Sequence, residues 1–396
     1  MRRFTADYVF TLEGPMVLKD AYVDVDEDGT ILGTGLCGGS TDTGAEHFEG
    51  ALVPGFVNAH CHVELSYMKG LFRKGTGMAG FIDQINALRD TLPREERIAL
   101  IHKWLDRMYE RGVSAMADIS NCSDSFAVKA SHPMYTRTFV EVFGDNPADV
   151  PSIISSARAL CGEAASLGLD ASVTPHASYT MSRDLLKAAS EEALSSGFLS
   201  YHSQESSEEE EMISSGSGPM WENRLRNGLR TPPVGARSSL DYFAGTVLEG
   251  RRSPVGGNVL LVHEVCMDEN DAKEIKEVFN SPFVALCPLS NIFIHNTLPP
   301  VGVMRRNRLD ICVGTDSLSS NDDLDMLSEI RCLQDSFPDV PLEEIFSWAC
   351  LGGARFLGKE SLLGTFSKGK KPGVVHVGNL SPEGRLTHSS RSTRIV

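Results

Sequence analysis

The chain has 396 residues, 41% hydrophobic and 23% charged, which is ordinary for a globular protein with room for a barrel-sized core and a smaller unit. A formal charge of −16 argues against a polynucleotide partner, although a pocket sets its own local potential. No apolar run is long enough to cross a bilayer, Met1-Arg2-Arg3-Phe4 leads into no apolar signal core, and nine scattered cysteines fit reduced thiols, so the sequence predicts a cytoplasmic protein away from membranes.

In chain order, the first fifty residues read as antiparallel β. Tyr8–Leu12 is one strand candidate, and Ala21–Val25 and Thr30–Leu32 flank the hairpin dipeptide Asp28-Gly29. Apolar strands then alternate with helical stretches. The strand candidates are 52–58, 114–119, 135–143, 171–175, 199–202, 258–263, 283–286 and 311–314; helical patterns include 94–111, 151–167, 182–195 and 268–279. Eight strands alternating with helices predict an α/β fold, a (β/α)8 TIM barrel over 52–362. A doubly wound open sheet is the alternative, weakened by the lack of an early glycine-rich phosphate loop. Short strands at 364–366, 373–377 and 385–387 close the chain. Neither end could fold alone, so residues 1–51 and 363–396 are expected to pair into one composite β-sandwich domain. Ser214–Leu240, rich in Ser, Gly, Pro and Arg, reads as an extended loop.

The predicted strand ends gather polar residues. His60 and His62 alternate in a strand, so they project to one face. His176 follows the fourth strand, His202 and Glu205 the fifth, His263 the sixth and Asp316 the eighth. Five of the eleven histidines thus lie at carboxyl ends, where barrel enzymes keep their chemistry. Each alone is explained by ordinary structure; together they predict a metal site. Imidazoles with one carboxylate suit zinc or iron, and such a metal lowers the pKa of bound water from about 15.7 to about 7. Glu205, three residues beyond His202, is suited to carry a proton, or else serves the first turn of a helix. Glu208 to Glu211 read as a solvated helical face.

With these residues in view, the chain resembles the amidohydrolase superfamily, in its branch of mononuclear deaminases and chlorohydrolases. The matching stretches are Pro54-Gly55-Phe56-Val57-Asn58-Ala59-His60-Cys61-His62, His176-Ala177-Ser178-Tyr179-Thr180 and His202-Ser203-Gln204-Glu205. They continue with His263, Cys287-Pro288-Leu289-Ser290-Asn291 and Gly314-Thr315-Asp316-Ser317-Leu318-Ser319-Ser320-Asn321. The resemblance implies one divalent metal, zinc before iron, held by His60, His62, His202 and Asp316. It implies that Asp316 takes a proton from the attacking water, Glu205 protonates a ring nitrogen and His263 holds the attacking water and developing oxyanion. Two-metal members carry a carboxylated lysine after the fourth strand; Ser172-Val173-Thr174-Pro175 has none, so one metal is expected.

More narrowly, His60-Cys61-His62-Val63-Glu64-Leu65-Ser66, with Gly80-Phe81-Ile82 and Arg89, is similar to the aminodeoxyfutalosine deaminases. That substrate carries a carboxylate, which Arg89 would pair; otherwise Arg89 is a surface helix residue. The substrate-facing candidates are His176, Glu64, Arg89 and Asn291, with Glu64 alternatively supporting the metal ligands. The implied activity is hydrolytic deamination of a purine-like or nucleoside-like amine, a small-molecule substrate. Hydrolysis of a cyclic amide, displacement of halide and a non-enzymatic binding barrel are the alternatives. A homodimer is compatible with the sequence but not specified by it. His102, His132 and His295 draw no role, His295 being read as a solvated loop histidine.

Overall fold

The computed structural model describes residues 1–38, 44–89, 91–251 and 253–396. Its strands in chain order are β1 (Arg2–Phe10), β2 (Val17–Val25), β3 (Ile31–Leu36), β4 (Glu46–Pro54), β5 (Phe56–Cys61), β6 (Val113–Ser120) and β7 (Tyr135–Val142). They continue as β8 (Asp170–Pro175), β9 (Phe198–Ser203), β10 (Val255–His263), β11 (Phe279–Leu286), β12 (Asp310–Val313), β13 (Val374–Gly378) and β14 (Arg391–Arg394).

The apolar run at 52–58, read as one strand, is split by Gly55. A Cβ there would fall 2.0 Å from Ser114 Oγ and 2.3 Å from the Pro372 carbonyl oxygen, so only glycine fits the corner. Before it, β4 belongs to a six-stranded sheet ordered β14-β13-β4-β1-β2-β3; after it, β5 opens a parallel sheet. The six-stranded sheet joins both ends of the chain: β1 pairs parallel with β4, and Val375 of β13 pairs antiparallel with Val53. It is one sheet, where a sandwich needs two facing ones. Phe4, Val9, Val23, Leu52 and Val374 pack on one another in its buried cluster. Residues 364–366 and 385–387 are not strands; Phe366 N–H instead donates to the Thr11 carbonyl and Leu386 N–H to Gln334 Oε1.

Two four-stranded parallel sheets follow, β5-β6-β7-β8 and β12-β11-β10-β9, with helices between their strands. Helices Val150–Ser166, Arg183–Ser195 and Glu269–Val278 lie within a residue or so of expectation, the last two started by Ser182 and Asp268, whose side chains accept from their first turns. Isolated parallel bridges join the sheets at each edge, Cys61 to Asp316 and Ala177 to His202. One buried cluster draws on both sheets: Val57, Ala117 and Phe139 meet Leu260, Val262 and Ala285 over Phe356. Among the described residues no helix is long and apolar enough to cross a membrane.

Candidate functional site

The pleat of β5 aims His60 and His62 the same way, and their Nε2 atoms lie 3.1 Å apart. His202, near the end of β9, completes a group in which one ring nitrogen from each histidine lies within 4.8 Å of the others. Asp316 follows β12 in left-handed backbone at φ 55°. Its Oδ2 accepts from the hydroxyls of Ser290 at 2.6 Å and Ser320 at 2.9 Å. That fixes Oδ1 at 3.8 Å from His60 Nε2 and 3.6 Å from His62 Nε2. The close approach needs Gly314, since a Cβ there would lie 2.8 Å from the His60 carbonyl oxygen.

Burial, then the charges of His202 and His62, holds His60 well below the usual histidine range. Burial likewise pushes His62 and His202 down to about 4. All three rings are therefore neutral at pH 7, as metal ligands must be. Burial alone would raise Asp316, but His62, His263 and the Ser290 hydroxyl outweigh it and keep the carboxylate charged. Three neutral imidazoles and one carboxylate oxygen, crowded together without protons to share, are the donor set of a divalent cation, and the residues present fit it.

Glu205 lies beside this group, just before helix Ser207–Ser215. Burial, and next the Asp316 charge, pushes its carboxyl up to about 8. Tyr179 Oη–H donates to Oε2 at 3.1 Å, while Oε1 lies 3.4 Å from His263 Nε2. Asn291 Nδ2–H donates to His263 Nδ1 at 3.0 Å, which leaves the ring proton on Nε2, a buried atom with no hydrogen-bond partner. His263 also carries a positive φ, 80°.

These groups open on a cavity of about 470 Å³. His62, His176, His202, Glu205, Asp316 and Arg89 line it, against an apolar wall that includes Leu65, Phe81, Ile82 and Ile85. Arg89 caps helix Gly77–Leu88, its guanidinium carbon 5.4 Å from the Phe143 ring centroid and no carboxylate within ion-pair distance among the described residues. It faces the cavity rather than open solvent. His176 Nδ1 is engaged by Thr180 Oγ1 at 2.7 Å.

Two substrate-facing expectations fall elsewhere. Glu64 is not among the lining residues; its carboxylate accepts the N–H of Asn121 at 2.9 Å and of Cys122 at 3.4 Å, which turns it away from the cavity. Asn291 is likewise behind the wall, occupied by His263. Conversely, Glu141 of β7 lines the cavity beside His176 and His202, and burial pushes it up to about 8. The sequence pattern gives it no role, as the one acid of its strand, although its parity with Phe139 and Phe143 is a usable signal.

Three further expectations are corrected. Within Glu208 to Glu211, Glu209 is fully buried, accepting from Ser178 Oγ and from Glu205 N–H, both at 2.8 Å. Ser214–Leu240 is not one extended loop: helix Gly218–Arg226 occupies its first half, with Pro219 in the opening turn where no N–H is missed. His295 ends helix Pro288–His295 with both ring nitrogens buried and burial pushing it down to about 4, so it is not solvated.

A sequence profile of the amidohydrolase family matches residues 51–383. An adenosine deaminase of Helicobacter pylori is 26% identical over 321 residues, covering 78% of this chain and 74% of that protein. Among solved structures, Helicobacter pylori aminofutalosine deaminase in complex with methylthio-coformycin superposes with a TM-score of 0.80 at 23% identity, covering 100% of both chains. A zinc-bound adenosine deaminase from Xanthomonas campestris gives 0.74 at 21% identity, covering 98% of this chain and 86% of that one.

Proposed function

Because the chain belongs to the amidohydrolase family, we propose that it is a metal-dependent aminohydrolase that releases ammonia from an adenine-type nucleoside. The observation that carries this reading is the meeting of His60, His62, His202 and Asp316 with Glu205 and the Nε2 of His263, with His62, His202, Glu205 and Asp316 lining a single cavity. The names of the relatives above support it.

Zinc is the cation we favour, one ion, held by His60, His62, His202 and Asp316; the nitrogen-rich donors and the zinc-bound structural neighbour support the choice. A divalent cation there supplies Lewis acidity and makes water a nucleophile at neutral pH. Asp316 Oδ1 accepts a proton from the attacking water. Glu205, protonated at neutral pH, gives its proton to the ring nitrogen next to the C–NH2 carbon, which lowers the loss of aromatic stabilisation as oxygen adds. His263 Nε2–H donates to that oxygen as charge develops on it. The C–N bond then breaks: the proton held by Asp316 passes to the amine, which leaves as ammonia, and the remaining hydroxyl proton returns to Glu205 as the carbonyl forms, restoring its acid form. Arg89, facing the cavity beside Phe143, pairs a carboxylate at the far end of the substrate, as aminodeoxyfutalosine would provide.

We also read residues 52–362 as a closed (β/α)8 barrel and residues 1–51 with 363–396 as a composite β domain; the bridges at both sheet edges and the six-stranded sheet support this. The scattered cysteines, with no regular spacing in the sequence, support a reducing, cytoplasmic setting.

The test is ammonia release by zinc-loaded protein from adenosine, 5′-deoxyadenosine, methylthioadenosine and aminodeoxyfutalosine. Turnover of at least one is expected. No ammonia from any, with stoichiometric zinc present, overturns the reading.

A further inference from the structure

The two parallel sheets meet at β5 and β12 without a continuous ladder between them. Among the described residues, one isolated bridge, Cys61 to Asp316, crosses this seam. Two backbone bonds lie beside it, from the N–H groups of Thr315 and Asp316 to the single His60 carbonyl, at 3.1 and 3.0 Å. Yet the proposed donors stand on both sides of the seam. Asp316 Oδ1 lies 3.8 Å from His60 Nε2 and 3.6 Å from His62 Nε2. A few strand-end bonds leave such a separation weakly fixed, so side chains have to hold it.

Asn58, two residues before His60, and Thr315, directly before Asp316, do so. Asn58 Nδ2 donates to Thr315 Oγ1 at 2.8 Å, and the Thr315 N–H donates back to Asn58 Oδ1 at 3.1 Å. The Thr315 hydroxyl donates to the Asp316 carbonyl at 3.3 Å, and the Thr315 carbonyl accepts from Asn321 Nδ2 at 2.9 Å. Every polar atom of Thr315 is thereby engaged. Asp316, at φ 55°, has a backbone conformation that persists only where its surroundings over-determine it. Asn58 and Thr315 are fully buried, and neither lines the cavity nor belongs to the donor group.

From this we infer that the Asn58–Thr315 pair is a positioning device for the metal centre. It sets the gap between His60 and Asp316 across the seam, and cation affinity depends on it. The inference rests on the metal-site reading above. A pair that merely stiffened the fold would lower stability and leave the affinity of the folded protein unchanged.

The experiment measures zinc affinity of the folded protein by competition with a chromogenic chelator, and the thermal midpoint of the zinc-free protein separately. Thr315→Val keeps the side chain's shape but sets a methyl against Asn58 Nδ2 and removes the donor to the Asp316 carbonyl. Its zinc Kd should rise about 10- to 100-fold, as for other residues that orient metal ligands. Thr315→Ser, which keeps the hydroxyl, should bind zinc nearly as wild type does. Asn58→Ala should weaken zinc as Thr315→Val does. The double variant should lose little more than either alone, because both changes cut one link. Unchanged affinity in Thr315→Val, an equal loss in Thr315→Ser, or additive losses in the double variant overturn the inference. A lowered thermal midpoint with affinity intact overturns it too. If Thr315→Val does not fold, Asn58→Ala must still weaken zinc and Thr315→Ser must not. Tight zinc binding by wild type and Thr315→Val alike sinks this inference alone; no zinc bound by wild type sinks the metal-site reading.

Discussion

Replacing Glu205 with glutamine keeps the side chain's size and removes its exchangeable acid proton. Burial and the Asp316 charge push this carboxyl up to about 8, so it is mostly protonated at pH 7 and loses its proton as pH rises through about 8. A positioned acid of this kind contributes about 10²–10⁴-fold, which corresponds to ~2.7–5.4 kcal/mol of barrier. Glu205→Gln should therefore lower kcat by that factor while zinc content stays that of wild type, since Glu205 is not among the metal-holding donors. Steady-state ammonia release with zinc measured in the same samples is the assay. In wild type, kcat should fall on the alkaline side of about pH 8. Tyr179→Phe sharpens the test, because the phenol donates to Oε2 at 3.1 Å and favours the charged form. Without it the alkaline limb should move to higher pH by about one to two units, the worth of one hydrogen bond to a charged group. A Glu205→Gln enzyme within about tenfold of wild type, or a Tyr179→Phe limb that moves to lower pH, would refute the acid role.

Lys129→Met should destabilise the fold by about 3–5 kcal/mol in chemical denaturation, because Lys129 and Asp118 form an ion pair at 2.8 Å with both side chains fully buried. Asp118 Oδ1 also accepts the N–H of Val63, directly after His62, so zinc affinity should weaken in the same variant; a loss under about 1 kcal/mol counts against the pair's importance. Arg89→Ala should raise KM about 10- to 100-fold for a carboxylate-bearing nucleoside and leave adenosine nearly unchanged; equal effects on both substrates would remove Arg89 from carboxylate recognition.

Strand parity and strand ends were readable directly from the residue pattern. Alternation at His60 and His62 implies a shared face, and their Nε2 atoms meet at 3.1 Å. His202 and Asp316, far apart in sequence, converge with them because parallel strands deliver their carboxyl ends to one side. What escaped depends on which surfaces meet. Glu209 is indistinguishable by residue type from its partly exposed neighbours Glu208 and Glu210, and only Ser178, arriving from another strand end to donate to it, marks its full burial. Gly218–Arg226 has the composition of a loop, but Met220, Asn223 and Arg224 are buried, and Asn223 bonds to Asp83 at 2.7 Å. Glu64 stands in the motif next to the ligand pair, yet the N–H groups of Asn121 and Cys122 draw its carboxylate away. The corner at Gly55 follows from a tertiary contact with Ser114 and Pro372 that no local pattern encodes.

The most direct measurement is elemental analysis of purified wild type and His202→Ala alongside ammonia release by each. The account predicts one zinc per wild-type chain, with zinc and turnover lost together in His202→Ala. Unchanged zinc and unchanged turnover in that variant would contradict it.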